Sequence, residues 1–401
     1  MTSSFHDLWS ELEPLGRNDR TGGYERYAWT EVDLQLRAWF AERAAGMGLS
    51  VEHDRNGNQW AWWGTPGPGA VVTGSHLDSV PGGGAFDGPL GVVSALLAVA
   101  DLQARGVRPG RSLAVVNFAD EEGARFGIAC IGSQLLTGVL DPERARRLTD
   151  ADGTTLAEAM SAAGADPAAL GRDARALDRI GVFVELHVEQ GVHLNDVGTA
   201  IGVASAIWPH GRWRCSFHGE GNHAGTTRLA DRRDPMLPFA STVLAARDVA
   251  ERAGGVATFG KVLVRPGGTN VIASVVDAWL DSRAPDETTV RSLVDAVAGA
   301  AQEAADRHGV GFRLEEESWS PVVNFRSALR DHLVGVLGGV PVLPTGAGHD
   351  AGVLAAHVPT AMLFVRNPTG VSHSPAERAE VADCLAGVQA LAAVLEDLVT
   401  S

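Results

Sequence analysis

Five side chains of metal-ligating type stand at the ends of strand-like apolar runs or in the polar segments that follow them. They are His76, Asp87, Glu122, His187 and His373. Imidazole nitrogens and carboxylate oxygens together suit zinc, manganese, cobalt or nickel better than calcium, and they exclude a thiolate site. Two histidines and a shared carboxylate at one ion, with that carboxylate, a glutamate and a histidine at the other, would form a two-metal centre. Such a centre acidifies a water and polarises a carbonyl oxygen, so the residues indicate hydrolysis.

Hydrolysis of an amide also needs a base that moves a proton from water to the leaving nitrogen. Glu121 is the candidate, because it adjoins a ligand without being needed as one. Successive side chains of an extended chain face opposite ways, so Glu121 and Glu122 could have different tasks. The alternative is that residues 120–122 form an ordinary solvated turn.

The stretch VVTGSHLDSVPGGGAFDGPLGVVSALLA (71–98) predicts a strand, a glycine-rich turn and a buried helix from Leu90. The glycines match neither a dinucleotide fingerprint nor a Walker motif, which argues against a phosphate cradle. We expect them to bend the backbone so that Asp87 points back at His76. His76 and Asp78 could be a buried polar pair, or a ligand with the carboxylate that fixes its tautomer.

The segments SLAVVNFADEEGARFG (112–127) and IGVFVELHVEQG (180–191) repeat this pattern of a buried strand that delivers polar groups. Open α/β sheets place their sites at the carboxyl ends of such strands. The tryptophans of QWAWW (59–63) are interpreted as core, with a pocket lining as the alternative. Residues 140–178 are rich in Ala and Asp and have helical spacing.

The pattern changes in the middle of the chain. Residues 208–318 predict two helices and about four strands, which suits an inserted two-layer α+β domain. Residues 1–207 and 319–401 then form the two parts of an α/β catalytic domain.

Composition narrows the class of protein. A net charge of −16 disfavours nucleic acid and anionic membranes as partners. We find no signal peptide, no apolar run long enough to span a bilayer, and no disulfide or zinc framework among Cys130, Cys215 and Cys384. We therefore expect a cytoplasmic protein.

Seven ordered motifs resemble the hydantoinase/carbamoylase family of binuclear metal amidohydrolases. They are GSHLDSVPGGGAFDG, FADEEGARFG, ELHVEQG, GNHAGTT, NVI…DSR, GAGHDAG and SHSPAE. The resemblance spans nearly the whole chain. It implies a metallopeptidase-like catalytic domain, with a mixed sheet flanked by helices, and an inserted domain that dimerises and acts as a lid.

The resemblance also implies the roles of individual residues. His76, Asp87 and His187 would bind one divalent metal, and Asp87, Glu122 and His373 a second, with zinc or manganese favoured and cobalt or nickel possible. Glu121 would be the general base and Asp78 the carboxylate behind His76. The histidine at 187 favours the ureido-cleaving branch, because related peptidases usually have a carboxylate there.

In the inserted domain, the resemblance implies that His223 stabilises the oxyanion across a homodimer interface. Arg212, Asn270 and Arg283 match substrate-binding positions, and we add Gln190 to them; surface ion pairing is the alternative for the arginines. Arg228 and Ala273 depart from the family pattern near these positions, so the identity of the substrate is the open question.

The function predicted from sequence is hydrolysis of the carbamoyl C–N bond of a small anionic ureido acid. Allantoate, and with it purine catabolism, is slightly favoured over N-carbamoyl-L-amino acids. The alternatives are a dinuclear aminoacylase or dipeptidase, and a metal-binding pseudoenzyme that only dimerises.

Overall fold

The computed structural model describes residues 2–400, which divide into two compact units. Unit 1 runs up to Ala206 and resumes at Asn324, and unit 2 is Ile207–Val323. The insertion expected from sequence covers residues 208–318. Unit 2 continues beyond residue 318, to Val323, because its last long strand runs to Ser320.

The elements before the insertion are α1 (Thr2–Leu12), α2 (Glu31–Gly46), β1 (Ser50–His53), β2 (Gln59–Trp63), β3 (Ala70–His76), α3 (Pro89–Ala104), β4 (Leu113–Phe118), α4 (Ile131–Thr137), α5 (Pro142–Arg146), α6 (Leu156–Ala162), α7 (Ala174–Leu177), β5 (Ile180–Val188), α8 (His193–Asp196) and β6 (Ile201–Ile207). Those of the insertion are β7 (His210–His218), β8 (Asn222–His223), α9 (Met236–Ala253), β9 (Val256–Arg265), β10 (Val271–Ile272), β11 (Val275–Arg283), α10 (Glu287–Arg307) and β12 (Gly311–Ser320). The chain ends with β13 (Val323–Asn324), α11 (Ser327–Val336), β14 (Val342–Thr345), α12 (Asp350–Leu354), β15 (Thr360–Val365) and α13 (Val381–Thr400).

The sheet of unit 1 is mixed, in the order β1-β2-β4-β3-β5-β15-β6-β13, with β14 also paired to β6. The central strands β4, β3, β5 and β15 are parallel, and antiparallel pairs flank them. These four strands are buried almost throughout, which explains their near-continuous apolar sequences. The predicted mixed sheet flanked by helices is confirmed.

Helices α3 and α13 pack against each other and contribute much of the largest apolar core. Trp60 and Trp62 of β2 are each 2% exposed, so they belong to the interior, as interpreted from sequence. Within residues 2–400, no helix is long and apolar enough to cross a membrane.

Residues 140–178 do not form one continuous helical segment. They form the short helices α5, α6 and α7, because Asp141, Thr155 and Asp173 each accept a hydrogen bond from a backbone N–H in the first turn that follows. Such side chains cap a helix, so each of them begins a new one.

Unit 2 is a two-layer α+β domain. Its antiparallel sheet has the order β12-β7-β11-β9, and α9 and α10 contribute to the core that this sheet buries. Strands β8 and β10 form a separate two-stranded ribbon. Two residues separate β10 from β11, which belongs to the four-stranded sheet.

Candidate metal centre and active site

Parallel strands of unit 1 end at one edge of the sheet, and polar residues collect there. His76 is the last residue of β3 and pairs with Phe118 at the end of β4. His187 is next to last in β5 and pairs with Phe364 of β15. Because these strands run the same way, residues that are distant in sequence meet at this edge.

The carboxylate of Asp87 lies between three imidazoles. Its Oδ1 is 3.2 Å from Nε2 of His187 and 3.7 Å from Nε2 of His76. Its Oδ2 is 3.4 Å from Nε2 of His373, which in turn is 3.7 Å from Oε2 of Glu122. The cluster therefore contains two trios that share Asp87, and the ligand atoms within each trio lie within 4.8 Å of one another. The structure thus brings together all five ligands expected from sequence.

The backbone reaches this arrangement through unusual conformations. Gly88 has a φ of +81°, and a Cβ placed there would lie 2.4 Å from the ring of His76. His373 and Asp120 are left-handed, with φ of 55° and 53°, although neither is glycine. Such conformations cost energy and persist where the surrounding structure imposes them, often at functional sites.

Burial and neighbouring charges shift the pKa values of the residues in the cluster. Burial alone would raise the pKa of Asp87, but the neighbouring imidazoles of His187 and His373 outweigh it and hold that pKa well below its usual value. The hydrogen bond to Asp87 raises the pKa of His373 to about 9. Burial, with the charge of Asp87, raises the pKa of Glu122 to about 7.

The donor set fits divalent metal ions. Nδ1 of His187 lies 2.9 Å from the carbonyl of Val188, and Nδ1 of His76 lies 3.1 Å from that of Asp78. Donation to those carbonyls leaves each Nε2 lone pair turned to the cluster. In the described chain, these Nε2 atoms and Oε1 of Glu122 are buried without a hydrogen-bond partner, a costly state that a metal ion would relieve.

Asp78 connects the first histidine to the acidic turn. Its carboxylate accepts hydrogen bonds from the backbone N–H groups of Glu121 and Glu122, at 3.1 and 3.0 Å, and Oδ1 lies 3.4 Å from Nδ1 of His76. Oε2 of Glu121 lies 3.7 Å from Nε2 of His76. Burial raises the pKa of Glu121 well above its usual value, which suits a group that must accept and return a proton.

His349 and Glu377 are buried at the cluster and were assigned no role from sequence. The ring of His349 lies 4.4 Å from that of His187, and burial holds its pKa well below the usual value, so it is a neutral imidazole. Glu377 accepts the backbone N–H groups of Phe86 and Asp87 at 2.8 and 2.9 Å. Both stand in motifs that carried the resemblance, GAGHDAG and SHSPAE, which was the only available signal.

Gln190 lies against the cluster as well. Its Nε2 donates to Oδ2 of Asp87 at 2.8 Å and lies 3.2 Å from Oγ of Ser372. Its Oε1 is buried and has no hydrogen-bond partner in residues 2–400. Gln190 therefore orients the carboxylate of Asp87, and its own oxygen remains available as an acceptor.

In unit 2, His223 and Asn270 are neighbours on the β8–β10 ribbon. The N–H of Ala224 donates to the carbonyl of Asn270 at 3.0 Å. Nδ1 of His223 accepts the backbone N–H groups of Gly225 and Thr226 at 3.0 and 3.2 Å. Nε2 must therefore carry the proton of a neutral His223, which makes it a donor.

Arg212 and Arg283 flank Asp281 at the other end of the unit 2 sheet. Arg283 donates to both oxygens of Asp281, at 2.8 and 3.0 Å, and Nε of Arg212 lies 3.5 Å from Oδ2. His218, at the end of β7 that leads to His223, is six positions along the strand from Arg212, which is roughly 20 Å. The four predicted residues of unit 2 thus form two separate pairs.

Comparison with known proteins gives consistent matches. Residues 72–397 match the pattern of a family described as Peptidase family M20/M25/M40. The chain is 38% identical to an N-carbamoyl-L-amino acid amidohydrolase of Geobacillus stearothermophilus, over 96% of each protein. It is 34% identical to the allantoate amidohydrolase of Escherichia coli strain K12, over 95% of this chain and 94% of that protein. A crystal structure of an amidase of the hydantoinase/carbamoylase family from Burkholderia vietnamiensis superposes with a TM-score of 0.89 at 29% identity, covering 100% of this chain and 98% of that one.

Proposed function

Because the chain belongs to peptidase family M20/M25/M40, we propose that it is a metal-dependent amidohydrolase that cleaves the carbamoyl C–N bond of a small ureido acid. The observation that carries this proposal is the position of Asp87, whose two oxygens face different imidazoles. The names of the relatives, one for N-carbamoyl-L-amino acids and one for allantoate, support the substrate class.

His76, Asp87 and His187 would hold one divalent ion, and Asp87, Glu122 and His373 a second, with zinc or manganese first among the candidates. When bound, such ions acidify water and polarise the carbonyl of the substrate. Asp87 keeps its negative charge in this cluster, and the carbonyl contacts of His76 and His187 keep their Nε2 lone pairs turned inward.

Glu121 would take the proton of the attacking water and return it to the leaving nitrogen. Glu121→Gln keeps the size of the side chain but removes the base, so we expect the metal content to stay and turnover to fall roughly a hundredfold or more. Metal analysis and initial rates of the two proteins test this. An unchanged rate would exclude Glu121 as the base.

The residues of unit 2 would bind the substrate. Nε2–H of His223 is suited to stabilise a developing oxyanion. The guanidinium groups of Arg212 and Arg283 would bind the substrate carboxylate in competition with Asp281. One small substrate cannot reach both pairs within a single copy of unit 2, since roughly 20 Å of strand separates them.

This separation supports a homodimer, in which one subunit provides the arginines and the other provides His223 and Asn270. An exposed apolar face of unit 2 supports it further. Leu237 and Leu244 of α9 are 49% and 70% exposed, and β9, which packs against α9, exposes Leu263 by 44%. As the last strand in the order, β9 also has an open edge, a common place for pairing with another chain.

The experiment that tests the function is ammonia release by manganese- and zinc-loaded protein. The panel contains allantoate, N-carbamoyl-L-amino acids, N-acetyl amino acids and dipeptides, the last two measured by release of free amino acid. Ammonia from allantoate alone would indicate purine-nitrogen salvage, and ammonia from the carbamoyl amino acids would indicate a carbamoylase. Cleavage of the acyl or peptide substrates alone would replace the proposal with an aminoacylase or dipeptidase.

A further inference from the structure

Cys130 lies directly behind the proposed base. Its Sγ is 3.2 Å from Oε1 of Glu121, and the residue is 5% exposed. Oε2 of the same glutamate is turned to the other side, 3.7 Å from Nε2 of His76. The two oxygens of Glu121 therefore have different neighbours.

The backbone imposes this contact. Cys130 precedes α4 in a left-handed conformation, with φ of 55°, and the N–H groups of Ile131 and Gly132 donate to the carbonyls of Asp120 and Ala119 at 3.0 and 2.9 Å. Gly132 allows this close approach, because a Cβ there would lie 2.1 Å from Oδ1 of Asn58. The start of α4 is thus bound to the acidic turn that carries Glu121.

The thiol is present as S–H. Burial raises the pKa of Cys130 well above its usual value, and the charge of Glu121 adds to this. A buried thiol beside a carboxylate is a donor and not a nucleophile. The other two cysteines, Cys215 and Cys384, are buried elsewhere in the fold.

We propose that Cys130 is a positioning residue for Glu121, which it holds by an S–H···O hydrogen bond to Oε1. This inference rests on the proposed function, because it assigns the thiol to the base of that reaction. A thiol is a weak donor. It fixes one oxygen of the carboxylate while withdrawing little electron density from the other, which remains free to accept a proton.

The test compares Cys130→Ala with Cys130→Ser. Both remove the sulfur, but only serine restores a donor. We expect the alanine variant to lose about tenfold in kcat with little change in KM, and the serine variant to recover most of that loss. Cys384→Ala, which removes a buried thiol in α13, is the control and should keep the wild-type kcat. Metal content and melting temperature are measured for all of these variants.

Equal rates for the two Cys130 variants would overturn the proposal, whether both rates are high or both are low. A direct readout does not need turnover. The infrared S–H band that disappears in Cys130→Ser should shift to higher wavenumber in Glu121→Gln, because a neutral amide oxygen is a weaker acceptor than a carboxylate. If the wild type released no ammonia from any ureido acid, the proposed function would fail, and the band shift would still decide whether the thiol donates to Glu121. An unshifted band would exclude the hydrogen bond.

Discussion

At the scale of residues, one carboxylate joins the two trios of candidate ligands. Asp87 is shared by both trios, whereas His373 belongs to only one. We therefore expect Asp87→Asn to lose metal at both positions, and His373→Ala to lose it mainly at one. Metal analysis after dialysis measures the content per subunit. An Asp87→Asn protein that retains the wild-type content would contradict the shared role.

Protons compete with metal for the same atoms, which predicts a pH dependence. The hydrogen bond to Asp87 raises the pKa of His373 to about 9, and burial raises that of Glu122 to about 7. Both groups hold protons at pH 6 and must release them to bind metal. The apparent affinity should therefore increase from pH 6 to pH 9, by up to about tenfold per pH unit for each proton displaced.

Calorimetry in buffers of different ionisation enthalpy counts the protons released on metal binding. In His373→Ala, the increase between pH 7 and pH 9 should be smaller than in the wild type; part of it remains, because the pKa values of His76 and His187 are also raised by neighbouring carboxylates. An affinity that is constant over this range in the wild type would contradict the assignment.

At the scale of elements, α3 can begin beside His76 only because residue 88 is a glycine. Gly88→Ala would place a Cβ 2.4 Å from the ring of His76, in a left-handed conformation. Gly106, after the end of the same helix, is also left-handed, with φ of +73°, but has open space around it. Gly106→Ala should cost only the backbone strain, about 1–2 kcal/mol of unfolding free energy.

Gly88→Ala should cost more than this control and should also weaken metal binding, because His76 must move. Denaturant unfolding and metal titration of the two variants separate strain from displacement of the ligand. Equal metal affinity in both would show that His76 tolerates the change.

At the scale of the whole molecule, the proposed dimer depends on the apolar face of unit 2. Leu244→Glu puts a charge on a side chain of α9 that is 70% exposed, so the monomer should tolerate it. Burying that charge at an interface is costly. We therefore expect the dissociation constant of the dimer to increase at least about tenfold, which is about 1.4 kcal/mol. Turnover should fall in parallel, because His223 and the arginines would come from different subunits.

Val139→Glu is the matched control, since Val139 is 62% exposed but lies in unit 1. It should leave the oligomeric state unchanged. Sedimentation velocity over a range of concentrations measures both variants. A wild-type protein that is fully active as a monomer would exclude the shared site.

Much of the fold of this molecule can be predicted from local sequence. The apolar runs of β3, β4, β5 and β15 predict a buried sheet, and the seven ordered motifs identify the hydantoinase/carbamoylase relatives, a resemblance that the comparisons confirm. The helices at 140–178 were predicted less well, because capping side chains begin three short helices there, and helical spacing alone does not show where a helix begins.

The sequence by itself determined the types of candidate ligand and the class of chemistry, because imidazoles and carboxylates after buried strands suit divalent metal ions, and the ordered motifs match a family of metal amidohydrolases. It also kept His76, Asp78 and Asp87 together, since His76 ends β3 and the loop that follows contains Asp78 and Asp87. Only the tertiary structure decided that Oδ1 and Oδ2 of Asp87 face different histidines, and that Cys130 lies behind Glu121. Those contacts depend on which strands are neighbours and on how α4 meets the acidic turn. Spacing along the chain does not encode such distances, because folding brings distant segments together through packing.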